Sequence, residues 1–297
     1  MSKGQKPLAD RLGLYAFGLG QKVFLKKDVT VAERRGQMLG DVAFRLFKSR
    51  RNRAISNLEL AFPEWTPEQR LATTRKVFRH FGVVTADFMR TPLRTAEELL
   101  DNMEIEGMEH YETAVAHDKG ILAITAHLGN WERFGHWLVT TGRPIAVVAR
   151  DANQGSVQDR VSQIRNMTGM TVLSRGDSVR PILSMLKRKE IVGILPDQNS
   201  EESFEPFFGK PAGTVLGPAV LHQRTGAVLL PSYCVRVGPG KYKVIVKEPV
   251  DIDNKMESVE EITSHLNLVL ESVIRQYPEQ WLWLHDRWKS ARKRNLL

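Results

Sequence analysis

The chain has 297 residues, 43 Lys and Arg against 34 Asp and Glu, and a formal net charge of +9. That length suffices for one large domain or two small ones. A single cysteine, Cys234, excludes an internal disulfide framework and a cysteine zinc site, and suits a reducing compartment.

The charge is unevenly placed. Residues 1 to 53 hold thirteen Lys and Arg but only Asp10, Asp28, Glu33 and Asp41 as acids, an excess of nine. A second basic cluster, Arg287, Lys289, Arg292, Lys293 and Arg294, closes the chain. Such clusters attract anionic lipid surfaces, acidic proteins or nucleic acid, and charge alone does not choose among them. No apolar core followed by small residues marks a signal peptide. Leu12 to Leu25 is apolar but interrupted by Gln21 and Lys22. It falls short of the roughly 20 apolar residues a bilayer requires, and is expected to lie on a membrane.

Val31 to Phe47 is expected to be helical. Thr66-Pro67-Glu68-Gln69 is a strong helix start, with a capping hydroxyl, a proline at the first helical position and a side chain able to close a capping box. Leu71, Phe78, Phe81, Val84 and Phe88 form one face of the helix it opens, which core packing explains.

The stretch from Gly120 to Glu132, GILAITAHLGNWE, begins as a short buried strand and ends in polar residues. In one continuous helix five residues advance about 500°, leaving His127 and Glu132 roughly 140° apart. A turn at Gly129 and Asn130 would let them meet. Trp131, Phe134, Trp137 and Leu138 then recur at helical spacing, placing Glu132 in the first turn, from which it is expected to reach back to the His127 ring and fix its tautomer. A metal reading of His127, Glu132 and His136 lacks the spacing that puts two ligands on one helix face, and no metal is assigned.

Beyond His127, strand-like and helical runs alternate. Ile145 to Ala149 is a strand ending at Arg150. Gln154 to Met167 is a helix containing Arg165, Thr171 to Leu173 a strand before Arg175, and Val179 to Lys187 a helix. Ile191 to Leu195 is a strand ending at Asp197 and Gln198. Val228 to Val237 and Tyr242 to Val246 form a hairpin about Gly238-Pro-Gly-Lys241. Ser258 and Glu261 open a last helix, ended by Pro278. The fold class is therefore α/β, a sheet covered by helices with functional groups at the carboxyl ends of its strands. Residues 1–52 are expected to be a basic, membrane-associating helical extension and residues 53–297 the main domain.

The H-x-x-x-x-E arrangement of His127 and Glu132 resembles the motif of glycerolipid acyltransferases. With Asn57, Phe62-Pro63, Leu195-Pro-Asp-Gln198, Pro206-Phe-Phe-Gly209, Pro278 to His285 and Arg287-Trp-Lys289 in order, the chain looks like the lipid A late acyltransferase family from about Arg53 to Lys289. Most members of that family carry a spanning N-terminal helix, and here the sequence departs from them.

The resemblance implies a central mixed sheet flanked by helices. It implies acyl transfer from an acyl carrier protein or coenzyme A thioester, with no further cofactor, to a hydroxyl of a glycolipid such as a lipid A precursor or a phosphatidylinositol mannoside. Taken with the Leu12 to Leu25 segment, which is too short to span, it leads to the expectation of an enzyme bound peripherally to the cytoplasmic face of the inner membrane. His127 would be the general base, Glu132 its partner, and amides near Gly129 and Asn130 the oxyanion donors. Arg150, Arg165 and Arg175 are candidates for substrate phosphate. Asp197 and Gln198 would order the site. The Phe204 to Gly209 segment could line an acyl channel or simply be packed. A non-enzymatic basic module binding membrane or nucleic acid would leave His127 and Glu132 unexplained, and no nucleic-acid motif is present.

Overall fold

A computed structural model describes residues 28–149, 157–174, 179–253, 255–256 and 258–297, with a few positions between 15 and 24. Most of the Leu12 to Leu25 segment, with Arg150 and Arg175, lies outside the described residues. Helices α1 (Val29–Leu46), α2 (Lys48–Ala61) and α3 (Pro67–Arg90) come first, followed by α4 (Ala96–Leu100), β1 (Met103–Glu106) and α5 (Met108–Ala116). An alternating core follows: β2 (Ile121–Ile124), α6 (Trp131–Thr140), β3 (Ile145–Ala149), α7 (Val157–Met167), β4 (Thr171–Ser174), α8 (Val179–Lys187) and β5 (Ile191–Ile194). The chain ends with the hairpin β6 (Ser203–Phe207) and β7 (Lys210–Thr214), α9 (Gly217–Thr225), β8 (Val228–Gly238), β9 (Lys241–Val246), α10 (Val259–Gln276) and α11 (Lys289–Lys293).

Seven strands form one mixed sheet in the order β1-β9-β8-β2-β5-β3-β4, in which only the β8–β9 hairpin is antiparallel. β2 is central and parallel to both neighbours, β5 and β8. It is buried on both faces, which is why its sequence is an unbroken apolar run. Apolar layers cover the sheet on each side. Ile121, Ala123 and Ile145 pack toward α6, whereas Leu122, Ile124 and Val192 pack with Ile182 and Leu186 of α8 and with Ile262 of α10.

The Thr66–Gln69 capping box forms as expected, and Phe78 and Val84 of α3 are buried. Leu71, assigned to the same face, is instead exposed near the start of the helix. Residues 52 and 53, the expected boundary, both lie within α2. α1 packs closely on α3, where a methyl group on Gly36 would come within 2.6 Å of the Gly82 carbonyl oxygen. Glu33 of α1 pairs with Arg236 of β8.

Phe207 and Phe208 are buried among Trp281, Trp283 and Trp288, so the Phe204 to Gly209 stretch is packing at the end of a hairpin. The closing basic cluster is only partly a surface feature. Arg287 is wholly buried and donates to the Gly213 carbonyl and the Thr214 hydroxyl, burial pushing its pKa down to about 10.

Candidate active site

β2 delivers His127 three residues beyond its carboxyl end, and a tight turn follows. Gly129 has φ +60°, and a Cβ there would lie 2.0 Å from the Cys234 carbonyl oxygen, so only glycine fits. Asn130 caps α6, its Oδ1 accepting from the Arg133 amide at 3.3 Å. The buried His80 ring holds the turn by donating from Nε2 to the Gly129 carbonyl at 3.0 Å; burial pushes its pKa down to about 4. Behind α6, Asp87 accepts from Asn130 Nδ2 and from the guanidinium groups of Arg133 and Arg94.

The expected turn is present, but the expected partner of His127 is not. Asp197 holds the histidine. Its Oδ1 accepts from His127 Nδ1 at 2.8 Å and its Oδ2 from the His127 amide at 2.9 Å. Trp281 Nε1 donates to the same Oδ2 at 3.0 Å. A carboxylate can only accept, so Nδ1 carries the proton and Nε2 is left as the basic nitrogen. Burial disfavours the imidazolium, but attraction to Asp197, its hydrogen bond and the negative charge of Glu132 outweigh burial, so the His127 pKa is raised. Burial alone would raise the Asp197 pKa, yet His127 and the hydrogen bonds from the His127 amide and Trp281 hold it below the ordinary carboxylate value.

Glu132 is directed elsewhere. Its two oxygens take a two-pronged bond from Arg165, Nε to Oε2 at 3.0 Å and Nη2 to Oε1 at 2.5 Å, while Trp131 Nε1 donates to Oε1 at 3.0 Å. The turn brings Glu132 beside His127, near enough to act on its charge, but Nδ1 is already taken by a carboxylate seventy residues away in sequence. Arg165, expected at a phosphate, is thus engaged by Glu132.

The oxyanion expectation also needs correction. The Gly129 amide donates to the Gln280 carbonyl at 2.9 Å and the Asn130 amide to the Cys234 carbonyl at 2.7 Å, so neither is available to substrate. These residues shape the turn. Gln198 lines the site beside Asn199, whose amide donates to His285 Nε2 at 3.1 Å. His285, like the Trp281 contact to Asp197, was not singled out by local spacing. Among the described residues no group of three or more His, Cys, Asp or Glu could hold a metal ion.

His127, Glu132, Arg165, Gln198 and His285 open onto one cavity of about 720 Å³, whose walls are otherwise mostly aliphatic. A base at the mouth of an apolar cavity suits the acylation of a hydroxyl by a long-chain donor. The model of the family described as "Bacterial lipid A biosynthesis acyltransferase" matches residues 18–290. The chain belongs to that family. It is accordingly an acyltransferase.

The relatives agree with that membership. The lipid A biosynthesis lauroyltransferase of Escherichia coli is 28% identical over 88% of this chain and 86% of its own. The lipid A biosynthesis acyltransferase of Haemophilus influenzae is 27% identical over 80% and 75%. A phosphatidylinositol mannoside acyltransferase of Mycobacterium tuberculosis is 26% identical over 70% and 67%.

Proposed function

We propose that the enzyme transfers an acyl chain from an acyl carrier protein or coenzyme A thioester to a hydroxyl of a membrane glycolipid, with a lipid A precursor as the acceptor. His127 Nε2 takes the hydroxyl proton as the oxygen attacks the thioester carbonyl and the new C–O bond forms. The C–S bond then breaks, and the proton passes from His127 to the departing thiolate, leaving an ester and a free thiol. Asp197 keeps the imidazole in the required tautomer and stabilises it while charged. Negative charge developing on the carbonyl oxygen is met by Arg165 and by the N-terminal field of α6. Glu132 fixes the Arg165 fork in place. No further cofactor enters this sequence of steps.

The observation that carries the reading is the His127–Asp197 pair at the mouth of an apolar cavity. The lipid A enzymes among the relatives support the acceptor, and the mannoside enzymes support the same chemistry on another glycolipid. Peripheral attachment to the cytoplasmic face of the inner membrane is supported by α1. It presents Val31, Met38, Leu39, Val42 and Leu46, each at least 41% exposed, along one face among arginines. Among the described residues no helix is long and apolar enough to cross a membrane. The test is transfer of a radiolabelled acyl group from acyl carrier protein to a lipid A precursor in mixed micelles. Product formation that disappears in His127→Ala is expected, and full activity in that variant would overturn the mechanism.

A further inference from the structure

The cavity at His127 is lined from both faces of the sheet, and we treat the lining on each face as one chamber. Side chains alternate across a strand, so Ile145 and Val147 of β3 and Gly193 of β5 face α6, whereas Val148 and Ile194 face α8 and α9. Residues from both sets line the same cavity. On the α6 side it descends to Ile145, which pairs through Ile191 with Ile121, six residues before His127. On this side the lining residues Phe134, Leu138, Ile145 and Met170 are all buried, so the chamber reads as enclosed. The chamber on the other face is lined by Leu183, Val215, Val220 and Leu221, which are half-buried, and by Val179 and Arg224, which are exposed. It is apolar but opens to the surface.

A thioester donor brings one hydrocarbon chain, yet two apolar chambers converge on one histidine. The closed chamber suits the donor chain, which must be enclosed as far as its end and then leaves with the product. A lipid acceptor remains in its membrane while it reacts, so its chain needs a groove that stays open to the outside. We infer that the α8–α9 chamber binds a hydrocarbon chain of the acceptor, beside the hydroxyl to be acylated. This deepens the function proposed above and rests on it. A phosphopantetheine arm is a poorer occupant, because its amides would meet walls with few hydrogen-bonding groups.

The experiment compares a lipid A precursor with its chemically deacylated derivative as acceptors, and lauroyl with palmitoyl donors, in wild type, Val220→Asp and Val147→Phe. Leu221→Asn replaces Val220→Asp should the latter fail to fold, as judged by thermal unfolding. The inference expects Val220→Asp to raise KM for the intact precursor about tenfold, because a charge in the groove opposes burial of a chain. It expects no change in the ranking of donors and no further loss with the deacylated acceptor. Val147→Phe is expected to do the converse, shifting preference toward the lauroyl donor at unchanged acceptor KM. The inference is overturned if Val220→Asp instead raises donor KM, alters donor ranking or leaves acceptor KM unchanged. Wild-type enzyme inactive on every acceptor, glycolipid mannosides included, would overturn the parent reading, and the inference with it.

Discussion

Asp87 and Asp197 are both buried carboxylates that hold the turn between β2 and α6, one from each side, but they hold partners of different kinds. Asp87 faces two guanidinium groups. Its burial is outweighed by Arg133 and Arg94, so its pKa lies well below the usual carboxylate range. Neither arginine can give up its charge at any physiological pH, so this cluster is a fixed electrostatic clamp. Asp197 faces a single imidazole and an indole N–H. Its partner can exist with or without a proton, so the same carboxylate chemistry there makes a group that can move one. The identity of the partner separates a structural carboxylate from a working one.

That contrast can be broken by substitution. The largest effect is expected at His127. His127→Ala should lower kcat by about 10²–10⁴, the usual contribution of a general base, with an unfolding midpoint near that of wild type. On the other side of the turn, Asp87→Ala should act on folding first. It would take the carboxylate partner from the buried Arg133 and the half-buried Arg94 and cost about 3–5 kcal/mol in urea denaturation. An unchanged midpoint would mean that the cluster is not the clamp described. The turn between them should be next in sensitivity. Gly129→Ala forces a side chain into a left-handed conformation and against the Cys234 carbonyl, at a cost of about 1–3 kcal/mol in strain, and should lower turnover by displacing His127. The smallest effect is expected for Arg165→Lys, which keeps the charge and loses the fork. A fall in kcat of about tenfold is expected, equal on a phosphorylated acceptor and on its dephosphorylated analogue, because the Arg165 fork is taken by Glu132. A loss confined to the phosphorylated acceptor would restore the phosphate role that the sequence alone suggested.

The working half of the turn was only partly legible in the sequence. The apolar run before His127, the glycine after it and the helical spacing from Trp131 are local signals, and they located the histidine, the turn and α6 correctly. The alternation from Ile145 to Leu195 likewise exposed the parallel core. Partnership is not a local property. A spacing of five directs attention to Glu132, whereas His127 Nδ1 donates to Asp197, brought alongside by the parallel pairing of β2 with β5. The resemblance put Asp197 in the site as an ordering residue, but no spacing in the sequence registers it against the His127 ring. Trp281, 84 residues beyond Asp197, was further out of reach of any spacing rule. β1 was missed for another reason. It is four residues long at the edge of the sheet, mostly exposed, and has no apolar run to announce it.

The central claim is that Asp197 orients His127 and raises its basicity, while Glu132 acts mainly through Arg165. The pH dependence of kcat/KM tests it most directly, measured in wild type, Asp197→Asn and Glu132→Gln. The base must be unprotonated to act, so activity falls as pH drops through the His127 pKa of the free enzyme. Because Asp197 raises that pKa more strongly than Glu132 does, removing its charge should move the acid limb to lower pH while the plateau falls. Glu132→Gln should move the limb less. An acid limb unmoved in Asp197→Asn but strongly displaced in Glu132→Gln would contradict the account.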